Sequence, residues 1–539
     1  MTTNDLRFIG TSDKDLGCWN IPAESVAFDE EGIKSKLLAL KKPCHVIRDG
    51  RGIGVSNDAK GEAEGQSPEI LAWVPPLPVD QLGDADFRKA HGTRYSYYAG
   101  SMANGIASEE MVIALGKEGF MGSFGAAGLV PSRVKEALLR IQQALPQGPY
   151  AFNLIHSPSE PALERDGVEL YLTHGVHCVE AAAYMDLTPF IVRYRLVGLE
   201  LKQNKIEIKN RIIAKVSRKE VATKFLEPAP SRIVQQLLDQ RLITQLQADL
   251  AQKVPMADDI TVEADSAGHT DNRPMFAALP SIIALRDEMQ EKYHYEQPVR
   301  VGAGGGIGTP TAALATFMMG AAYVVTGSVN QSCIESGTCD HVRGLLAEAD
   351  MADVTMAPAA DMFEMGVKLQ VLKRGTLFPM RAQRLYELYL QHNSIEEIPA
   401  KERDKLEKQV FRTSLESVWK STVEHFTTRD PSQLERAANN PKRKMALIFR
   451  WYLGLSSRWS IVGESGREMD YQIWCGPAMG AFNAWVRNSY LEDVKNRRVA
   501  DVAKHILTGA AFSYRVQALK TQGVQFPPSC SGYHPQPLA

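Results

Sequence analysis

The chain has 539 residues and a mass of 59.5 kDa, and its 44% hydrophobic and 23% charged residues are typical of a globular protein with two or three structural units. A net charge of −2 excludes the basic footprint of nucleic-acid binding, and no apolar run reaches the roughly 18 residues of a membrane span. We therefore expect a cytoplasmic protein without a nucleic-acid or membrane partner, which the seven dispersed cysteines also favour.

Residues 1–85 are predicted to form a small β-rich module. Two strand-like runs, PCHVIRD and ILAWVPPLPV, flank a polar, glycine-rich stretch. The segment ends in the proline-rich VPPLPVDQLGD, which is a plausible boundary between structural units.

Residues 86–380 show a repeating βα pattern. Short small-residue or β-branched runs alternate with amphipathic helical stretches, and helical crossovers imply parallel strands. The strand candidates are YYAGSMANGIAS, MGSFGAAGL, YAFNLI, HCVEAAAY, FIVRYRLVGL, RIIAKV, DDITVEAD, VRVGAGGG and AYVVTGSV. About eight strands in this length predict an α/β fold of the (β/α)₈ TIM-barrel type rather than an open doubly wound sheet.

Residues 381–520 carry apolar side chains at helical spacing, for example in KERDKLEKQVFRTSLESVWKSTVEHF, and predict a helical C-terminal region. Its apolar faces would either cap the barrel mouth or bury the interface of a homodimer. Residues 521–539 are predicted to be a loose tail.

The glycine-rich stretch VRVGAGGGIGTPTAALATFMMGAAYVVTGSV is the first functional signal. Neither a G-x-G-x-x-G nor a Walker A pattern fits it. It reads instead as a strand, the glycine loop Gly304–Gly305–Gly306, a helix, a second strand and the turn Gly327–Ser328. In barrels the loops after strands 7 and 8 form a phosphate site, and glycine lets the backbone approach the anion. The alternative is a pair of tight turns that glycine serves through packing alone.

One further segment and two further residues could contact the part of such a ligand that lies away from its phosphate. GSMANGIAS is a small-residue strand end where the backbone could approach a flat ring. Asn153 could hydrogen-bond a ring edge, or simply cap a turn. Lys215 could present a cation to the electron-rich edge of a reduced flavin ring, or be an ordinary ion-paired lysine.

The loop in ITVEADSAGHTDNRP is the second functional signal. His269 follows a strand by a few residues, where barrel enzymes place catalytic groups, and its titration range suits general acid–base chemistry. The alternative is a loop histidine paired with Asp265 or Asp271. The groups Cys333/Cys339/His341 and His174/His177/Cys178 lack zinc spacing, so we expect no metal site.

The segments GSMANGIAS, EADSAGHTDNRP, VRVGAGGGIGTPTAALATFMMGAAYVVTGSVNQSC and MFEMGVKLQVLKRGTLFPMRAQRLYELY together resemble the PfaD family. Its members are flavin-dependent, stand-alone enoyl reductases of polyunsaturated fatty acid and polyketide synthases, within the nitronate monooxygenase/FabK superfamily. The resemblance extends over nearly the whole chain, including YQIWCGPAMGAFNAWV.

The resemblance implies a role for particular residues. It assigns flavin contacts to Met102, Ala103, Asn104 and Asn153, and the catalytic position to His269. The FMN phosphate would lie against the turns made by Gly305, Gly306, Gly327 and Ser328, and Gly304, which begins the same glycine loop, is a further candidate. Gly268 would also contact the flavin, whereas the residue before it is Ala267, where the superfamily usually has a second glycine.

The resemblance also implies a reaction. NADPH would reduce FMN, and the 2,3 double bond of an enoyl thioester on acyl carrier protein would then be reduced. Two alternatives stay open: an FMN oxidoreductase of the nitronate monooxygenase type, and a non-catalytic scaffold barrel within a multienzyme. The basic segment NNPKRKMALIFRWY would be either a docking face for the acidic carrier protein or an ordinary solvated helix flank.

Overall fold

The computed structural model describes residues 6–9, 19–62, 68–156 and 161–538, and a closed barrel of eight parallel strands lies at its centre. In chain order the barrel strands are β1 (Tyr97–Ala99), β2 (Met121–Phe124), β3 (Ala151–Ile155), β4 (Cys178–Ala182), β5 (Arg211–Val216), β6 (Asp259–Glu263), β7 (Arg300–Gly304) and β8 (Val324–Thr326). Each strand pairs with the next, and β8 closes on β1 with Val325 opposite Tyr98. The predicted (β/α)₈ barrel is confirmed.

Helices surround the barrel. Those between its strands are Glu109–Lys117, Pro131–Ala144, Pro161–Thr173, Pro189–Val197, Lys219–Leu226, Ser231–Asp239, Gln245–Ala251, Met275–Tyr293 and Pro310–Met318, and Ala85–His91 precedes β1. The long helix Val499–Thr521 packs on both Pro310–Met318 and Glu109–Lys117. It therefore fills the outer position between β8 and β1, so the chain's C-terminal region completes the helical ring.

One predicted strand was wrong. The run FIVRYRLVGL forms the helix Pro189–Val197, which begins with the Thr188 side chain accepting the Ile191 N–H at 3.3 Å and with proline at its first position. Five of its nine residues are buried: Ile191, Val192, Tyr194, Arg195 and Leu196. A helix buried on most sides shows no helical periodicity, and its β-branched content then favours a strand.

The N-terminal region is a sheet with one helix. Its antiparallel strands are Cys44–Asp49, Gly52–Ser56 and Glu69–Val74, and Glu30–Leu38 packs on them; Trp19–Asn20 pairs with Lys60–Glu62. The expectation of a loose C-terminal tail was wrong, because Val524–Gln525 pairs with Arg7–Phe8 and Cys530, in the short helix Pro528–Ser531, is buried against this sheet. Apolar contacts with the N-terminal region hold this segment in place. Such contacts join distant parts of the chain, so the local sequence pattern does not predict them.

The C-terminal region is helical, as predicted. Its helices are Phe378–Gln391, Ala400–Lys405 continuing as a π-helix through Leu406–Phe411, Leu415–Arg429, Ser432–Ala438, Pro441–Val462, Ala478–Val486 and Val499–Thr521. Between barrel and helices lie the short helices Ser328–Gln331 and Asp340–Ala347 and a β-hairpin, Val354–Pro358 with Lys368–Leu372. A second hairpin, Leu199–Lys202 with Lys205–Ile208, leaves the barrel between β4 and β5.

A buried ion cluster closes the amino-terminal end of the barrel. Asp259 at the start of β6 is fully buried and binds Arg300 of β7 through two hydrogen bonds of 2.7 and 2.8 Å, while His91 Nε2 lies 2.8 Å from its Oδ2. Burial alone would raise the pKa of this carboxyl, but the charges of Arg300 and His91 outweigh it and hold the pKa well below its usual range.

Substituting Asp259→Asn is expected to destabilise the fold strongly, because it leaves Arg300 charged and only partly paired inside the barrel. The free energy of unfolding should fall by about 3–5 kcal/mol. Asp287→Asn is the matched control: this carboxylate is 64% exposed in its pair with Arg286 and should cost at most about 1 kcal/mol. Equal urea midpoints for the two variants would contradict the assigned role of the cluster.

Candidate active site in the barrel mouth

The carboxyl ends of the eight strands form the mouth of the barrel, where enzymes of this fold carry their active sites. Lys215 of β5 pairs in register with Thr261 of β6, whose hydroxyl hydrogen-bonds to Tyr98 and Tyr323 across the interior. Paired residues of parallel strands point to the same face, so Lys215 also faces inward, and its Nζ lies 3.3 Å from Oε1 of Glu263. The strands β5 and β6 therefore contribute the inward-facing polar side chains Lys215, Thr261 and Glu263.

Lys215 is charged in this position. Burial alone would lower its pKa, but the negative charges of Glu263 and Glu180 outweigh burial, and the pKa is raised. Of the two alternatives considered from the sequence, the ion pair is present, and because it lies inside the mouth Lys215 stays a candidate for a ligand site.

Glu180 of β4 is a residue that the sequence analysis missed. Its side chain is fully buried, and Oε2 accepts the Ser101 N–H at 2.9 Å. Within the described part of the chain, Oε1 has no hydrogen-bond partner, and neither has the buried hydroxyl of Ser123 on β2. Unsatisfied buried polar atoms are rare in proteins and indicate a missing donor or acceptor at this place. A glutamate inside an apolar strand, CVEAA, was the available signal.

Asn153 and the turn after β1 line the next part of the rim. Asn153 is buried, and its Nδ2 donates to the carbonyl of Glu180 at 3.2 Å, which ties β3 to β4. Met102, Ala103 and Asn104 form a turn in which Asn104 has a positive φ of 58° and donates its N–H to the carbonyl of Ala127 at 2.7 Å. This turn is thereby held against the loop that follows β2.

The glycines of the two turns serve different purposes. A Cβ on Gly304 would lie 3.1 Å from Cβ of Val325, and one on Gly305 would lie 2.8 Å from the backbone of Ala264, so packing explains both. By contrast, a Cβ on Gly306 or Gly327 would meet nothing within 4 Å. The amides of these two residues make no hydrogen bond to other described residues, which leaves them available to an anion.

The helical C-terminal region reaches into the same place. The Gly476 N–H donates to Oγ of Ser328 at 3.0 Å, and a Cβ on Gly476 would lie 3.1 Å from N of Ala267 in the histidine loop. Gly308 packs closely on the carbonyl of Ala478. The segment 474–478, WCGPA, therefore lies between the second glycine turn and the histidine loop. Its contribution was not predicted, and only its run of small residues hinted at a close approach.

Together these features fit a flavin mononucleotide. Two open glycine positions with available amides suit a phosphate, and the lysine, the unpaired carboxylate oxygen and the serine hydroxyl offer both donors and acceptors to the edge of a polar ring. Gly306, Gly327 and Ser328 are the residues available to a phosphate, and Lys215 and Asn153 are those available to a ring.

The loop carrying His269 is supported by the hairpin. Gly268–His269 pairs antiparallel with Leu369 and Gln370, adding a third strand to the hairpin sheet. The buried side chain of Gln370 donates from Nε2 to Oδ1 of Asp265 and to the carbonyl of Ser266, both at 2.8 Å. This long-range support holds the loop above β6.

His269 has a carboxylate partner that the sequence analysis did not propose. Its Nε2 lies 3.2 Å from Oδ1 of Asp361, on the loop of the hairpin, and the two side chains are 46% and 56% exposed. Loss of hydration alone would lower the pKa of His269, but the hydrogen bond and charge of Asp361 and the charge of Glu263 outweigh it and raise the pKa. Asp265 and Asp271 are instead bound by Gln370 and Arg218.

The basic segment around residues 442–450 makes internal contacts. Lys442 donates to the carbonyls of Tyr389 and His392, and Arg443 and Arg450 pair with Glu364 at 2.7 and 3.4 Å. Lys444 lies 5.3 Å above the ring of Trp419. These contacts favour a structural role for the segment over a docking face.

The described residues contain neither a cluster of metal-ligand side chains nor a helix suited to a membrane. Among residues 6–9, 19–62, 68–156 and 161–538, no cluster of three or more histidine, cysteine, aspartate or glutamate side chains is arranged to bind a metal ion. Over the same residues, no helix has both the length and the hydropathy for crossing a bilayer.

Comparison with known proteins finds two matching family models and several relatives of this chain. Residues 19–76 match the N-terminal domain of the fatty acid synthase subunit PfaD, and residues 392–471 match the inserted helical domain of acyl-carrier-protein S-malonyltransferase. One polyunsaturated fatty acid synthase protein of Thraustochytrium sp. is 48% identical over 507 residues, which are 93% of this chain and 33% of that protein. The polyketide biosynthesis protein PksE of Bacillus subtilis is 46% identical over 81% of this chain and 57% of its own length. The chain thus spans between a third and just over half of these two relatives.

A solved structure also resembles most of this chain. The enoyl reductase domain of MlnA, from the macrolactin biosynthesis cluster of Bacillus amyloliquefaciens, superposes with a TM-score of 0.79 at 38% identity, over 82% of this chain and all of that domain. Since similarity at this level extends over a complete relative, the chain belongs to the PfaD family.

Proposed function

We propose that the protein is an FMN-dependent enoyl reductase, which uses NADPH to reduce the 2,3 double bond of enoyl thioesters carried by acyl carrier protein. The observation that carries this proposal is the match to the complete enoyl reductase domain of MlnA. The relatives that are named as fatty acid synthase and polyketide proteins support a place beside the carrier domains of a multienzyme.

FMN, when bound, supplies two-electron transfer from a nicotinamide to the β-carbon of the enoyl thioester. The protein's residues do the remaining work. Gly306 and Gly327 would offer backbone amides to the phosphate, and Lys215 would offer a positive charge to the ring. His269 donates a proton from its imidazolium to the α-carbon, so that a saturated thioester leaves the site.

The test is an anaerobic half-reaction experiment on the purified protein. NADPH should bleach the flavin absorbance, and crotonyl thioester on acyl carrier protein should restore it with formation of the butyryl product. Recovery only with oxygen and a nitroalkane would instead establish the nitronate monooxygenase type of reaction. A colourless protein that releases no FMN on denaturation would support the scaffold alternative.

A further inference from the structure

We infer that Asp361 is a positioning residue for His269, whose imidazolium it orients for proton delivery to the substrate. The inference rests on the proposed function, because it assigns a partner to the histidine that acts there. Neither member of the pair is near the other in sequence, since 92 residues separate them.

The geometry distinguishes the two ring nitrogens of His269. Nε2 of His269 is engaged by Oδ1 of Asp361 at 3.2 Å, and no described residue hydrogen-bonds to Nδ1. When one nitrogen of an imidazolium donates to a carboxylate, the proton on the other nitrogen is the one available for transfer. We therefore assign Nδ1–H as the proton donor, with Asp361 holding the ring plane.

The loop that carries Asp361 is held by contacts with the helical region. Phe363, two residues further on, is fully buried, with its ring centroid 5.2 Å from that of Tyr389 and 6.3 Å from that of Phe449. The next residue, Glu364, pairs with Arg443 and Arg450 at 2.7 and 3.4 Å. The helical region therefore holds the backbone of this loop through the residues that follow Asp361, which supports the placement of its carboxylate beside His269.

The surrounding charges give the sign of the expected pH effect. His269 feels the negative charges of Asp361 and Glu263 and the positive charge of Lys215, and Arg450 acts on Asp361. Asp361 raises the pKa of His269, and His269 in turn lowers the pKa of Asp361 despite the partial burial of that carboxyl. If Asp361 loses its charge, the pKa of His269 falls and less imidazolium is present at neutral pH, so the rate declines at a lower pH on the alkaline side.

The experiment uses FMN-loaded protein and the variants Asp361→Asn, Asp361→Glu and His269→Gln, with Asp340→Asn as control because the carboxylate of Asp340 is 95% exposed and pairs with Arg343 instead of with His269. Diethyl pyrocarbonate modifies neutral imidazole, so its reaction with the His269 peptide, followed by mass spectrometry from low to high pH, reports the titration without turnover. We expect the midpoint to move to lower pH in Asp361→Asn, to return towards wild type in Asp361→Glu and to stay unchanged in Asp340→Asn.

Kinetics on crotonyl thioester provide the second readout. Asp361→Asn should lower kcat by about tenfold, as part of the roughly 10²–10⁴-fold that a positioned acid contributes, with KM and FMN affinity unchanged. An unchanged labelling midpoint in Asp361→Asn, together with an inactive His269→Gln enzyme, would overturn the positioning role alone. A fully active His269→Gln enzyme would overturn the histidine's role in the proposed function and this inference with it.

Discussion

Replacing His269 with glutamine is expected to slow enoyl reduction by about 10²–10⁴-fold, the usual contribution of a positioned general acid. Glutamine retains polarity and approximate size but cannot release a proton at neutral pH. Because the imidazole is about half exposed and its loop is held by Gln370 and backbone pairing, the fold and the bound FMN should be retained. Stopped-flow reoxidation of the reduced enzyme by crotonyl thioester measures the effect.

His177→Gln is the matched control for this prediction. His177 is exposed and immediately precedes β4, so it lies at the amino-terminal end of the barrel, opposite the mouth. Reduction of the flavin by NADPH should be similar in both variants, while only His269→Gln is slow in the second half-reaction. A His269→Gln enzyme with a wild-type rate of reoxidation would show that another group or water delivers the proton.

The second large effect is expected at the glycine turn after β8. Gly327→Val should lower the affinity for FMN by about a hundredfold or more, because the side chain enters the space where the phosphate would meet backbone amides, each worth about 1.5–3 kcal/mol to a charged partner. The φ of Gly327 is −133°, outside the left-handed region, and a Cβ there meets no described atom within 4 Å. Space for the valine side chain is thus available in the apoprotein, and circular dichroism checks that the variant is folded.

Gly344→Val supplies the comparison, since Gly344 also has open space at its Cβ position but lies in the helix Asp340–Ala347. Its FMN affinity, measured by quenching of flavin fluorescence, should equal that of wild type. Gly306→Val should resemble Gly327→Val in affinity but lose stability as well, because its φ of 73° lies in the left-handed region that a β-branched residue adopts poorly. Wild-type affinity in Gly327→Val would remove the second turn from the phosphate site.

The sequence was most informative where local patterns decide structure. The alternation of strand and helix predicted the barrel because each βα unit is specified within about 30 residues. The glycine stretch predicted the order strand, loop, helix, strand and turn, and the helix in the structure is Pro310–Met318. His269 could be proposed as a candidate because the loop at a strand end is a local feature.

Features of the site that depend on contacts between distant parts of the chain could not be predicted from the sequence. The sequence could not separate Gly305, which packs on the loop after β6, from Gly306, which is open, since neighbours from another part of the chain make the difference. The partnership of Asp361 with His269 depends on a hairpin more than 80 residues downstream of the loop. The contribution of Gly476 likewise appears only when the helical region folds over the mouth.

The most direct test of the account is the electron density of the purified holoprotein at the barrel mouth. We predict an FMN whose phosphate accepts hydrogen bonds from the amides of Gly306 and Gly327 and whose ring lies above Lys215, within reach of the loop of His269. Density that places the phosphate away from both turns, or that shows the mouth filled by protein side chains, would contradict the account.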